Sequence, residues 1–496
     1  MELGTTDLNI DNVPSMRILL SCTLGLVAVD EQASTVRLVH FTLQEYLVAH
    51  PNLLVTSHLM MAETCLTFLD FESVCRLSTA LGAVPPSMPF LHYASCYWGF
   101  HARKEMNKNV ESLALRLLQR DTNHMWVNIL LREEKVDYLP WGDRDSGRSP
   151  DLRGLSGLHR LSYMGAAQIA VAMVNMKRWD LNGLDSKGET PLVWAAKYGN
   201  FSLTKLLLEQ RDVDPTLSDK QGLTPLIHAA RAGHQEVVRL LIENSDVNPD
   251  SSDKHGRTPL FYAAKSGHEG VVKLLLVREG LNPDLPDEWG WTPLSYAAEG
   301  GHEGVVNLLL EHKDVNPFSL NHCSWSPLFY AANRGHEDIV KLFLQCGDFN
   351  PNTSDGGDST LLSHVAYSGC ESVVKVLLDR GDVHPDASDF YGQTRAAERG
   401  HAGIVKLLLQ REDVNPDTLD ADDMMLLLYA ARYGHRDVVK LLMERVNVDL
   451  IGCGQKVLAY AALSGWEDIV ELFLKRGYLD PHWSDEIGRT QLSYVA

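Results

Sequence analysis

From Asp185 onward, apolar and polar positions recur with a period of 34 residues. Counting Asp185 as position 1, the chain reads DSKGETPLVWAAKYGN, then DKQGLTPLIHAARAGH from Asp219, DKHGRTPLFYAAKSGH from Asp253 and DEWGWTPLSYAAEGGH from Asp287. NHCSWSPLFYAANRGH follows from Asn321 and DGGDSTLLSHVAYSGC from Asp355. A degenerate copy starts in register at Asp151. Later copies open at Asp389 (three residues short), at Asp420, near Ile451 (again short) and at Asp485, where a stub ends the chain. Self-similarity at this scale decides the fold before any local reading does.

Each recurring position has a physical role. Glycine at position 4 permits the positive φ of a tight turn. Threonine at position 6 (Thr190, Thr224, Thr258, Thr292) can cap a helix. Proline at position 7 sits in the first helical turn, where its missing N–H costs nothing. Leu192, Ala195 and Ala196 then share one helical face, and Gly199 stops the helix. A second amphipathic stretch such as EVVRLLIE (Glu236–Glu243) follows, then an extended DVNPD return. The unit is turn, short helix, turn, longer helix, extended return. One copy buries no apolar face by itself, but stacked copies do.

The pattern D-x-x-G-x-T-P-L-x-x-A-A-x-x-G-H closely resembles the ankyrin repeat. The resemblance spans residues 151–496 in about ten copies plus the C-terminal stub. It implies an all-α solenoid with short β-turn fingers. The 34-residue period and the DVNPD return resemble fungal members of the family. The copy at Asp389 lacks Pro-Leu and a helix residue, so its first helix is expected to lose most of a turn. The copy near Ile451 has lost finger residues instead, and both places are expected to kink or weaken the stack. The copy at Asp420 lacks both the Thr-Pro start and the turn glycine. The array stops at Ala496 inside a first helix, without a polar cap, which reads as a truncated product.

Residues 16–50 read as helix, strand, turn, strand, helix, with GLVAVDE and TVRLVHF alternating like a hairpin. Thr42 and Glu45 have capping-box spacing at the start of the second helix. VRLVHFTLQEYL resembles the end of the winged-helix domain in STAND-class NTPases of the NACHT type. Residues 53–135 carry three helical patterns, which resemble the linker joining NACHT modules to ankyrin repeats in fungal NLR-like proteins. The expected division is therefore a partial winged helix at 1–50, a helical linker at 51–139, a turn-rich boundary at 140–150 and repeats at 151–496. In the NACHT family the histidine of this motif can contact bound ADP, and the matching position is His40. No G-x-x-x-x-G-K-[ST] loop occurs in the chain to cradle phosphates, so His40 reads as a packed histidine, with nucleotide sensing implied by the resemblance alone.

Composition refines this picture. A net charge of −20 (45 Lys+Arg against 65 Asp+Glu) argues against unspecific binding of nucleic acid or anionic membrane. The eight cysteines are scattered without Cys-x-x-Cys pairs, as reduced thiols of a cytoplasmic or nuclear protein are. The apolar run Met16–Val29 is too short to span a bilayer. His234, His268, His302, His336, His401 and His435 share one repeat position and are spaced too widely to share an ion. No His-Glu-x-x-His, Cys/His cluster or Gly-x-Ser-x-Gly elbow occurs. No catalysis, metal or cofactor is expected.

Binding is the chemistry the pattern favours. The resemblance places positions 2, 3, 5 and 13 on the concave groove. Early copies put Lys187, Lys197, Lys220, Arg231, Lys254, Arg257 and Lys265 there; middle copies put Trp289, Trp291 and Trp325; the Asp389 copy puts Phe390 and Tyr391. Tryptophan and arginine dominate interface hot spots. A protein partner held by a basic shoulder and an aromatic centre is expected, unless the tryptophan rings pack between neighbouring fingers. The other function class is a nucleotide-regulated STAND/NACHT ATPase of which this chain is the C-terminal part.

Overall fold

The computed structural model describes residues 27–30, 35–38, 57–75, 77, 90–119, 127, 129, 154–346, 350, 352, 360–383, 391–411, 426–444 and 450–475. The chain divides into two compact units, Met1–Lys254 and His255–Ala496. His40, Phe390, the helices expected beside the hairpin, the fingers of the Asp355 and Asp420 copies and the stub from Asp485 lie outside the described residues.

In the first unit, strands β1 (Val27–Asp30) and β2 (Thr35–Leu38) pair antiparallel, with Val27 opposite Leu38 and Asp30 opposite Thr35. Both expected strands form. The helical patterns that follow become Ser57–Asp70, Glu72–Cys75, Phe90–Lys104 and Lys108–Leu118. Ser57–Asp70 packs on both Phe90–Lys104 and Lys108–Leu118. The seam between them buries Leu66, Phe68, Leu69, Leu91, Trp98 and Leu117. Phe90–Lys104 then meets Gly157–Met164, and Lys108–Leu118 meets Ala167–Asn175, the two helices of the worn first copy. Contact is close: a Cβ on Gly99 would stand 2.7 Å from Met164 Sδ. One apolar core therefore runs from the helical block through Leu158 and Ile169 to Leu192 and Leu207. The block covers the face that the first copy leaves without a preceding repeat, which is what a cap does in a stacked array.

The repeat helices follow the expected grammar. In the first unit, Pro191–Lys197 lies between Gly157–Met164 and Pro225–Ala232. In the second, first helices Pro259–Lys265, Pro293–Gly300, Pro327–Arg334, Leu361–Ser368, Tyr391–Arg399, Leu426–Arg432 and Leu450–Leu463 pack in sequence, each on the next. The paired alanines at positions 11 and 12 are fully buried in every copy from Asp185 to Asn321. Thr190, Thr224, Thr258, Thr292 and Thr360 each accept the backbone N–H three residues on. The described residues thus form an all-α ankyrin-type repeat fold with one small hairpin.

One expectation is overturned. The first helix of the Asp389 copy is not shortened: it runs Tyr391–Arg399, nine residues against the seven or eight of its counterparts. The deletion is absorbed by turn residues, since Tyr391, Gly392 and Gln393 join the helix. The copy near Ile451 behaves similarly: its finger is replaced by a 14-residue helix, Leu450–Leu463.

Candidate functional site

The site is built from the fingers upward. In the copies that open at Asp185, Asp219, Asp287 and Asn321, position 1 is a buried acid or amide whose Oδ1 accepts the backbone N–H groups of positions 3 and 5. Asp185 takes Lys187 and Glu189 at 2.9 and 2.8 Å. Asp219 takes Gln221 and Leu223, Asp287 takes Trp289 and Trp291, and Asn321 takes Cys323 and Trp325. Its other side-chain atom reaches position 10 of the first helix. Asp185 Oδ2 accepts Trp194 Nε1–H at 3.1 Å, Asp219 Oδ2 pairs with His228 Nε2 at 3.1 Å, and Asp287 Oδ2 accepts the Tyr296 hydroxyl at 3.2 Å. Asn321 Nδ2 reverses the polarity and donates to Tyr330 at 2.5 Å. A hydrogen-bonding side chain nine residues after position 1 recurs in the sequence at Trp194, His228, Tyr262, Tyr296, Tyr330 and His364. That regularity is the signal for the bond, and the repeat consensus alone does not display it.

These bonds set protonation states. Burial pushes the Asp219 carboxyl up, but the hydrogen bonds from His228 and from the Leu223 and Gln221 amides outweigh it, so it titrates below the usual carboxylate range. Burial, with Asp287 beside it, drives the Tyr296 hydroxyl well above its ordinary value, so it stays a donor.

Neighbouring fingers are tied by their backbones. Lys220 N–H donates to Lys187 O at 2.9 Å and Lys254 N–H to Gln221 O at 3.1 Å. In the second unit Glu288 N–H donates to His255 O at 2.9 Å and His322 N–H to Trp289 O at 3.1 Å. The finger tips are thus a fixed edge rather than loose loops.

In the first unit, Lys187, Lys220 and Lys254 are exposed on this edge. Arg231 is half-buried, and Lys197 is drawn to Glu189 (3.3 Å) and the Tyr198 ring. In the second unit the residues of the expected aromatic centre divide. Trp289 is 47% exposed and lies flat against His255, rings 5.8 Å apart at 15°. Trp291 is half-buried, wedged between Tyr296 (4.5 Å) and Tyr330 (3.9 Å). Trp325 is half-buried between Tyr330 (5.3 Å) and His364 (4.9 Å). Position 5 of one copy thus slots between position 10 of its own copy and that of the next, giving a ladder Phe261–Tyr296–Trp291–Tyr330–Trp325–His364. Lys265 Nζ sits 4.8 Å over Tyr296, and Arg257 5.4 Å over Tyr262. Tyr391 opens a helix.

The histidine after the terminal glycine of the first helix has a different role. His234 Nε2 bonds Lys197 O, His302 Lys265 O, His336 Glu299 O, His401 Tyr367 O and His435 Glu398 O. A carbonyl only accepts, so each Nε2 carries the proton. These histidines staple one repeat to the previous one.

No helix among the described residues is long and apolar enough to cross a membrane. No curated protein matches the chain. A family model for ankyrin repeats (3 copies) matches residues 158–253, 203–287, 246–319, 272–355, 312–389 and 394–490. The matched ranges cover well over half of the 496 residues, and the chain belongs to the ankyrin-repeat family.

Proposed function

We propose that this chain is a non-catalytic scaffold that captures a protein partner on its finger and first-helix face. Ankyrin repeats support protein binding in general; the anchor residues are our assignment. The observation that carries it is Trp289, nearly half exposed on a finger whose main chain is bonded on both sides. A large ring held in water by a rigid support loses little entropy on binding, which is the character of an interface anchor. In the first unit taken by itself, the exposed Lys187, Lys220 and Lys254 would offer cations to an acidic partner surface; in the second, Trp291 and Trp325 mainly support the ladder. The decisive experiment compares proteins retained by the immobilised chain with those retained by Trp289→Ala. Specific species lost from the variant support the anchor; an unchanged set removes Trp289 from the site.

A second reading makes the chain the C-terminal arm of a NACHT-type switch. It rests on the hairpin Val27–Leu38, whose sequence resembles a winged-helix end, and on the helical block that follows. In that reading residues 1–50 and 51–139 are winged-helix and linker parts, and the array senses the partner. A rise in thermal midpoint with ADP or ATP would favour it.

A further inference from the structure

We infer that Glu189, Asp219 and His228 form a binding site for a divalent transition-metal ion of the zinc type, between the fingers of two successive repeats in the first unit. One ligand atom from each of the three lies within 4.8 Å of those of the other two. All three are buried: Glu189 is 3% exposed, Asp219 9% and His228 6%. Asp219 Oδ1 is taken by two backbone amides, so only Oδ2 faces His228 Nε2, at 3.1 Å. Two donors on one tetrahedral zinc, with bonds of about 2.0–2.2 Å, stand roughly 3.3 Å apart, close to the spacing of this pair; binding would release to solvent the proton now shared between His228 Nε2 and Asp219 Oδ2 and leave the imidazole as its Nδ1–H tautomer.

Glu189 supplies the independent observation. Its Oε1 accepts from Lys197 Nζ, but its Oε2 is buried and has no hydrogen-bond partner. A buried carboxylate oxygen with no partner is costly, and a cation would satisfy it. The backbone of Glu189 is fixed on both sides, its N–H donating to Asp185 Oδ1 and its carbonyl accepting from His159 Nε2. Reaching the ion therefore asks only for side-chain rotation. One imidazole and two carboxylates, with a coordination position left for water, are donors that suit zinc or its neighbours better than calcium or magnesium.

The slot is particular to this step of the array. Position 5 is Glu189 here, but Leu223, Arg257, Trp291 and Trp325 in the following copies, none of which offers a carboxylate. A single ion per chain is expected.

The test uses the purified, untagged full chain after chelator treatment. Equilibrium dialysis against Zn2+ should leave about one tightly held ion. Co2+ in its place should give the visible absorption of a four- or five-coordinate site. Glu189→Gln, nearly isosteric, should weaken binding by more than about tenfold with unchanged helical circular dichroism. Zinc X-ray absorption on the unmodified chain should show an oxygen/nitrogen shell with a single imidazole. Affinity unchanged in Glu189→Gln, or sulfur or several imidazoles around the zinc, would overturn the site. So would a chain that retains no zinc. The absorption measurement decides the question even if the variant misfolds.

Discussion

His302 donates its Nε2–H to the main-chain carbonyl of Lys265, 3.0 Å away and 37 residues earlier in the chain. The bond closes over Gly267, which has φ +73° and on which a Cβ would stand 2.6 Å from His302 Nδ1. Glycine and histidine of the recurring Gly-His pair are thus partners across repeats: the glycine of one copy makes room for the histidine of the next. Gly199 with His234, Gly301 with His336 and Gly400 with His435 repeat the arrangement. Where Cys370 takes the histidine's place, its thiol lies 3.7 Å from Asn333 O and bonds more weakly.

This arrangement predicts coupled stabilities. His302→Ala removes one bond between repeats and leaves the Lys265 carbonyl without its imidazole donor, a loss of about 1–2 kcal/mol. Gly267→Ala adds left-handed strain and a clash with the ring, costing about 3 kcal/mol. In the double variant the clash disappears, so the combined loss should be smaller than the sum of the two. Urea unfolding of the four proteins measures this. Strict additivity would show that ring and glycine do not meet.

The tryptophans should separate by variant. Trp291 fills the space between Tyr296 and Tyr330, so Trp291→Ala opens a void in the ladder and should cost about 2–4 kcal/mol. Trp289 lies on the surface of His255, so Trp289→Ala should change stability by no more than about 0.5 kcal/mol. Differential scanning calorimetry compares the two directly. Equal losses would place Trp289 in the structural ladder and leave it a poor candidate anchor.

Much of this was legible in the sequence, for reasons that differ by element. The helix pairs and threonine caps follow from local patterns repeated many times, so each copy corroborates the others, whereas the hairpin strands follow from apolar–polar alternation seen in one place. The Asp389 copy misled because a missing Pro-Leu reads as missing helix, whereas the chain retained helical bonds by drawing Tyr391, Gly392 and Gln393 out of the turn. Packing of the tryptophan rings between neighbouring copies is one of the two readings the sequence leaves open, but their position 10 partners stayed hidden, because the contacts join residues such as Trp291 and Tyr330, 39 positions apart and both plausible as surface residues when read alone. The cluster of Glu189, Asp219 and His228 escaped for a similar reason: its members are 30 and 9 residues apart, a spacing that no compact metal motif has.

Ser324 offers a test of local strain. It occupies finger position 4 with φ +61°, where the copies at Asp185, Asp219, Asp253 and Asp287 use glycine with φ between +79° and +88°. A side chain in this region costs about 1 kcal/mol, partly offset by the greater freedom glycine gives the unfolded chain. Ser324→Gly should therefore raise the thermal midpoint slightly. The reverse change, Gly290→Ser, should lower it further, because a Cβ there would come within 3.0 Å of Asn321 Cα. A fall with Ser324→Gly would mean that the serine hydroxyl makes a contact worth more than the strain.

The helical block should respond to pH through His101. This imidazole is 7% exposed, with Nδ1 2.8 Å from His58 Nδ1 and Nε2 2.9 Å from the Tyr93 hydroxyl. Burial, reinforced by His58, holds its pKa below the ordinary value. Burial also raises the Tyr93 hydroxyl, which stays protonated and donates to Nε2. An unfolded histidine titrates near pH ~6.5. Below that pH, and until the lowered folded value is reached, the unfolded chain binds the extra proton and the folded chain does not. Stability therefore increases as pH rises through this window and is level for this group above it. Urea midpoints measured from about pH 5 to pH 7.5 should climb, and His101→Gln should flatten its share of the slope. His58→Asn removes the neighbouring imidazole, so the His101 resonance in an NMR titration should move to a higher pKa. A slope untouched by His101→Gln would assign the pH response to other groups, among them His401, whose pKa burial also lowers.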